Sequence, residues 1–362
     1  MKICDGWLNF KNEIVNGNKS IVCFGAGMMA LYIEKLFVKE GLWERIYCFL
    51  DNDTNKSGRV IGDTKPKEVK TVEIFLEEEK TDYVILITCV TFIPIIEQLQ
   101  KIDRWKDIHC YIYPKVNKDI VHLAEYKPLD CSRNENIPKI IHYCWFGKSE
   151  LGKLETKCIE SWKKYCPDYE IIEWSEENYD ISKNLYMKEA YENKKWAYVS
   201  DYARLDILYK YGGVYFDTDV ELIKNIDVLL GNKAFIAYGE WPVVNSGAGI
   251  GSVKENALIK EMRDHPRKEK KFVDENGNCD MTQNCVYETK VLEKYGFLHN
   301  FEMQYVNDML ILPPKFIATS SVIGCDAYIT EETFAIHHNG ESWSDEKRKR
   351  EKRLTQRRTR EE

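Results

Sequence analysis

The chain has 362 residues, 44% of them hydrophobic and 31% charged, with a net charge of −7. That is length enough for two domains, each able to bury a core of ordinary size. No apolar run approaches the roughly 18 residues of a membrane span, and MKICDGWLNFKNEIVNGNKS at the start lacks the unbroken apolar core of a signal peptide, so a soluble, cytoplasmic protein is expected. Twelve cysteines occur without any CxxC pair. Most lie in apolar segments such as IVCFGAG and VILITCV, where a reduced thiol packs as a small core residue.

In chain order, SIVCF (20–24) predicts a strand and GAGMMALYIEKLFVKEG a helix with Met28, Leu31, Leu36 and Phe37 at helical spacing. RIYCFLDND and DYVILITCV predict two further strands, FIPIIEQLQKI a helix and DIHCYIYP a fourth strand. Alternating strands and helices imply a parallel sheet with crossover helices, a Rossmann-like domain over residues 1–126. Gly25, Gly27 and Ala30 make a G-x-G-x-x-A spacing between a strand and a helix, and Asp51 ends the next strand where a ribose-binding acid is expected. These four residues define a second nucleotide site, unless the glycines serve only a tight turn and close helix packing. This half resembles the Rossmann domains at the front of some sugar acyltransferases and sugar-modifying enzymes. A nicotinamide-linked sugar epimerase or dehydrogenase would need a Tyr-x-x-x-Lys pair, and Tyr32 is followed four residues on by Leu36.

KPLDCSRNEN (127–136) is polar and reads as a linker. A second α/β domain is expected over residues 137–344, followed by a basic tail, 345–362. In it, WAYVSDYARLDILYKYGG predicts a helix with Asp201 and Arg204 on one face, ended by Gly212 and Gly213. Val214 to Phe216 predict a buried strand that continues into Asp217 and Asp219. In extended chain those two carboxylates would share a face about 7 Å apart. Buried charge must be paired or metal-bound, and two oxygen donors suit magnesium or manganese. Asn245 lies in WPVVNSGAGIGS, where glycines let backbone approach a ligand closely.

Three ordered segments, IPKIIHYCWFG, SDYARLDILYKYGGVYFDTDVE and FAIHHNGESWS, resemble the family 32 glycosyltransferases that carry a sugar-binding region containing a DXD motif. That family includes capsular polysaccharide synthesis proteins and yeast initiating mannosyltransferases, and is related to the glucosylating domain of large clostridial toxins. The resemblance spans about Ile137 to Ser344 and implies a GT-A type α/β fold. It implies Trp145 stacking on the donor base, Asp201 and Arg204 gripping the donor sugar and diphosphate, and Asp217 and Asp219 as the metal-binding pair, with Asp219 favoured as direct ligand and Asp217 as the contact to the donor ribose or metal-bound water. It further implies a closing loop with Ser342 and Trp343, a third metal ligand at His338 or His337, with His338 favoured, and Asn245 near the reacting carbon. Gln283 and Asn284 stand where members often have Gly-Pro, on the acceptor side.

The function so implied is metal-dependent, retaining transfer of a sugar from a nucleotide-diphosphate donor to an oligosaccharide or lipid-linked glycan in surface polysaccharide (capsule) synthesis. Two alternatives use the same residues: a non-catalytic nucleotide-sugar-binding protein, and a metal-dependent nucleotidyl or phosphoryl transferase. The second would bring a G-x-x-x-x-G-K-[ST] loop, which the sequence lacks. The tail, Lys347 to Arg360, is either a solvated end or a polybasic strip for anionic lipid, which would place the protein at the inner face of the membrane. Nucleic acid is not an expected partner, because the body is acidic and basic residues do not interleave with aromatics.

Overall fold

A computed structural model describes residues 1–63, 65–123, 129, 137–320 and 327–340. The described residues divide into two compact units, 1–63 with 65–123, and 129, 137–320 with 327–340. Most of the expected linker, together with Ser342, Trp343 and the basic tail, lies outside the described residues. Among those described, no helix is long and apolar enough to cross a membrane.

The first unit is built on β1 (Lys2–Cys4), β2 (Ser20–Phe24), β3 (Ile46–Leu50), β4 (Val60–Ile61), β5 (Lys67–Lys70), β6 (Tyr83–Ile87) and β7 (His109–Ile112), in the sheet order β1-β7-β6-β2-β3-β5-β4. Every pairing except β4 with β5 is parallel. The central strands β2 and β6 are continuous apolar runs because helices cover both faces of such a sheet. Those helices are α1 (Trp7–Val15), α2 (Met28–Lys39), α3 (Val72–Leu76), α4 (Phe92–Leu99) and α5 (Tyr113–Leu123). The buried stripe of α2 is Ala30, Ile33, Leu36 and Phe37, whereas Met28 and Leu31 are exposed. Helical spacing alone left the phase of that stripe open by a turn. Cys23, Cys48 and Cys110 are free and buried, as packing residues.

In the second unit, β8 (Ile140–Cys144), α6 (Lys153–Tyr165), β9 (Glu170–Trp174), α7 (Leu185–Glu192), α8 (Trp196–Tyr211), β10 (Gly213–Tyr215) and β11 (Val220–Leu222) come first. They are followed by β12 (Ala234–Ala237), β13 (Ile250–Ser252), α9 (Ala257–Asp264), α10 (Asn284–Glu293), β14 (Gln304–Val306), β15 (Met309–Leu312), β16 (Ile317–Thr319) and β17 (Ala335–His337). The main sheet is mixed, in the order β14-β15-β12-β13-β10-β8-β9, and a small sheet runs β11-β17-β16. Both units are therefore α/β, as the sequence implied. Trp162, Phe216, Val214, Ile141 and Leu312 centre the core of this unit.

Helix α8 is buried from Tyr198 to Leu208 on almost every face and stops at Gly212 and Gly213, which hold φ of 66° and 100°. Side chains rarely adopt that conformation, and a Cβ at Gly213 would also meet the Ile140 carbonyl at 2.8 Å. The chain is thereby turned directly from α8 into β10. From α6, the Trp162 indole N–H donates to the Val220 carbonyl at 2.7 Å and Ser161 Oγ accepts the Leu222 N–H at 2.9 Å. These two bonds pin β11 immediately after the acidic turn.

His142, on β8, is fully buried between the Trp174 indole N–H, which it accepts at Nδ1, and the Gly212 carbonyl, to which Nε2 donates. Burial pushes its pKa down to about 4, only partly opposed by the Gly212 carbonyl. The folded state then binds fewer protons than the unfolded chain below about pH 6.5. Stability should fall as pH drops from 6.5 toward 4, by roughly 3 kcal/mol in full. Urea unfolding between pH 7 and 5 checks this, since His142→Gln should show a shallower loss than the parent over that window.

Candidate active site

The acidic pair sits in a turn between β10 and β11, not in an extended strand: the Val220 N–H donates to the Asp217 carbonyl at 3.1 Å. The expectation that Asp217 and Asp219 share a strand face is corrected by this bond. Instead of a common face, each carboxylate has its own set of partners.

Asp217 is held from the α8 side. Its Oδ1 accepts from Arg204 Nη2 at 3.0 Å and from the Tyr215 hydroxyl at 2.9 Å. Arg204 also pairs with Asp201 at 3.2 Å, one helical turn back as the sequence suggested, and donates to Ser246 Oγ at 3.1 Å. The guanidinium lies 4.9 Å from the Tyr215 ring centroid. Burial works against its charge, but Asp217, Tyr215 and Asp201 together hold its pKa well above the ordinary value. For Asp201 burial wins: its carboxyl is raised despite Arg204 and Arg267.

Asp219 is held from the other side. Its Oδ2 accepts the Gly340 N–H at 2.7 Å, its carbonyl accepts the His338 N–H at 3.0 Å, and His337 Nε2 lies 3.4 Å from Oδ1. Burial pushes its carboxyl up, yet the His337 charge and these hydrogen bonds bring it down to about 2. Burial alone would lower His337, and the Asp219 charge raises it instead.

Of the two histidines expected beside the acidic pair, it is His337, and not the favoured His338, that faces Asp219. The antiparallel register pairs Val220 with His337, which puts His337 beside the turn. His338 points the other way and binds Glu221 at 2.9 Å. His337 is buried, and its Nδ1 has no partner among the described residues.

Asn245 joins the site through a tight turn, its Oδ1 accepting the Gly247 N–H at 3.0 Å while the Gly247 carbonyl accepts the Asp217 N–H at 2.9 Å. A Cβ on Gly247 would run into Asp217 Oδ2. Gly247→Ala is therefore expected to keep the fold but displace that carboxylate, at about 1–3 kcal/mol of strain. Thermal unfolding should move by a few degrees while turnover falls roughly 10- to 100-fold.

Trp145 follows β8, its ring packed on the core and its indole N–H donating to the Ser149 carbonyl at 2.7 Å. No hydrogen bond or ion pair among the described residues joins it to the acidic turn. Sequence reasoning gave no site role to Tyr215, Ser246, Arg267 and Glu288, and named Asn284 only as a departure from Gly-Pro, because their roles arise from packing and not from a motif. Arg267 is 1% exposed, stacks on Tyr186 and Tyr287, and keeps Nε and Nη1 unpartnered among the described residues.

In the first unit, Gly25 holds φ of 116° and Gly27 precedes α2 as expected, with Ala30 buried on that helix. Asp51 is already engaged there. Its Oδ2 accepts the Ala26 N–H and the Lys56 ammonium, both at 2.8 Å, and its Oδ1 accepts the Asp53 N–H at 2.9 Å. The acid therefore closes the glycine loop with protein donors. Cys4, Glu13 and His109 bring three metal-type donors within 4.8 Å of one another. There Glu13 is already shared among Lys19, His109 and Tyr111, a satisfied network.

Residues 152–236 match the family described as glycosyltransferase sugar-binding region containing DXD motif. The match lies within the second unit. The matched segment contains Asp201, Arg204, Asp217 and Asp219 and ends before Asn245 and His337. Two relatives from Schizosaccharomyces pombe overlap it in kind. Inositol phosphoceramide mannosyltransferase 1 is 30% identical over 136 residues, covering 34% of this chain and 41% of that protein. Inositol phosphoceramide mannosyltransferase 3 is 32% identical over 142 residues, covering 36% and 35%. The chain thus spans less than half the length of these relatives. Among solved structures, the PaToxG glycosyltransferase is 19% identical, with a TM-score of 0.34, covering 44% of this chain and 69% of that one.

Proposed function

We propose that the second unit is a metal-dependent, retaining glycosyltransferase that moves a sugar from a nucleotide diphosphate to a hydroxyl of a glycan or lipid-linked glycan in surface polysaccharide synthesis. The observation that carries it is the convergence of Arg204, Asp217, Asp219 and His337 on one turn, inside and beside the matched sugar-binding region. A mannose donor comes first to trial because both fungal relatives are named mannosyltransferases.

The donor types of Asp217, Asp219 and His337 suit a hard divalent cation, manganese or magnesium, although their ligand atoms do not all lie within 4.8 Å of one another as those of Cys4, Glu13 and His109 do. Asp217 Oδ2 stands outside the bonds from Arg204 and Tyr215, Asp219 Oδ1 stands outside the bond from Gly340, and the buried His337 Nε2 lies 3.4 Å from that Oδ1. Asp217, Asp219 and His337 would hold the ion. When bound, it supplies Lewis-acid stabilisation of the charge gathering on the departing diphosphate.

The chain's own groups account for the remaining steps. Arg204 offers a fixed positive charge at the same place, preorganised by its bonds to Asp201, Asp217 and Ser246. The acceptor oxygen forms the new bond to the anomeric carbon as the bond from that carbon to the phosphate oxygen breaks, and the hydroxyl proton passes to the departing phosphate. No strong base is then required. Asn245, tied by Oδ1 to the Gly247 N–H, acts as an oriented dipole near the cationic sugar and not as a nucleophile. Lys347 to Arg360 would draw the protein to an anionic membrane surface carrying a lipid-linked acceptor.

The test incubates the full chain with manganese and a panel of UDP-glucose, UDP-galactose and GDP-mannose, following release of the nucleoside diphosphate. Metal-dependent release from one donor supports the proposal. Its absence from all of them, with and without sugar acceptors, overturns it.

A further inference from the structure

The loop that carries Asn245 is gripped by one face of α10. The Val244 N–H donates to Thr289 Oγ1 at 3.2 Å, the Ser246 N–H to Glu288 Oε2 at 3.2 Å, and Asn284 Nδ2 to Ser246 Oγ at 2.9 Å. Asn284 Nδ2 also donates to Glu288 Oε1. Positions 284 and 288 are four apart and so lie one above the other on the helix. Glu288 and Ser246 are fully buried. The same Ser246 hydroxyl accepts from Arg204, so the chain of bonds runs from α10 through the loop to the arginine that holds Asp217.

Among the described residues no cation hydrogen-bonds to Glu288, and a buried carboxylate held so is a costly way to join a helix to a loop, since a well-packed apolar contact would do so more cheaply. Burial pushes the Glu288 carboxyl up, opposed by Ser246 and by the charges of Arg204 and Arg267. Its two oxygens each receive one donor, and the donor on the loop side is the amide next to Asn245.

We infer that Glu288 is a positioning residue: through Ser246 it fixes the turn from Asn245 to Gly247 against Asp217, at the face where the sugar reacts. This rests on the proposed transferase function. Glutamine at 288 has the same shape but one acceptor. It leaves either the Ser246 N–H or one of the two Asn284 Nδ2–H groups without an acceptor, and Asn284 cannot simply flip because its Oδ1 already accepts from Arg267 Nη2.

The experiment compares the parent chain with Glu288→Gln, using amide hydrogen exchange and release of nucleoside diphosphate from the same donor panel with manganese. Exchange in peptides covering 243–248 should rise about tenfold while peptides from α8 stay as in the parent. Turnover should fall roughly 30-fold with KM for the donor within about threefold. Exchange rising equally across the second unit would overturn the inference, because Glu288 would then serve general stability. A rise in KM matching the loss of turnover would also overturn it, by making Glu288 a donor-binding group. If the parent hydrolyses no donor, the transferase function fails by itself, and the exchange arm still decides whether Glu288 holds the loop.

Discussion

Replacing Asp219 by alanine is expected to lower metal-dependent donor hydrolysis by roughly 10³-fold or more, on the order of 4 kcal/mol of transition-state stabilisation. Asp219 reaches both of the segments that close on the acidic turn, His337 from β17 and the Gly340 amide. Its carboxyl is held at about 2, so it is ionised at any working pH, and the buried His337 ring loses its counter-charge when Asp219 is removed. Asp219→Asn is the sharper control: it keeps the size and an acceptor for the Gly340 N–H but carries no charge. Both variants should remain folded, because β11 is pinned from α6 by bonds to Val220 and Leu222 that do not involve Asp219. Steady-state release of nucleoside diphosphate, with manganese varied, measures the effect. Variants as active as the parent would remove Asp219 from the mechanism.

Much of this site was legible in the sequence, for reasons that can be given residue by residue. Asp201 and Arg204 pair because three residues on a helix bring them to one face, and two glycines at 212 and 213 announce the reversal that follows. The central strands β2 and β6 are legible because burial on both faces demands unbroken apolar runs. Strand β1 and helix α1 were missed: one is three residues at a sheet edge, and the other exposes Leu8 while burying Trp7, Phe10 and Ile14.

The acidic turn shows where local pattern stops informing. An apolar strand followed by Asp-Thr-Asp reads equally well as continued strand or as turn, and only the Val220 to Asp217 bond decides it. The choice between His337 and His338 depends on which residue faces Val220 across β11 and β17, a register formed between segments more than a hundred residues apart. Glu288 and Arg267 had no signal at all, and Asn284 stood out only as a departure from Gly-Pro. A glutamate on an ordinary helix becomes unusual only when packing removes it from water.

Arg204→Met is expected to destabilise the second unit by about 3–5 kcal/mol, with the lower end favoured. The guanidinium is 5% exposed at its side chain and is the shared partner of Asp201, Asp217 and Ser246. Removing it leaves Asp201 buried near Asp217 with no cation among the described residues hydrogen-bonded to either. Two escapes limit the cost. The Asp201 carboxyl, already raised by burial, takes up a proton more readily, and Asp217 is about one-third exposed and can turn toward water. Arg204→Lys should recover part of the stability by returning the charge. It should recover little activity, because an ammonium cannot reach Asp217, Asp201 and Ser246 with the arginine's fixed fork. Thermal unfolding and donor turnover measured on both variants separate these effects. Full activity in the lysine variant would mean that Arg204 acts only as a counter-charge, and that its geometry is irrelevant to holding Asp217.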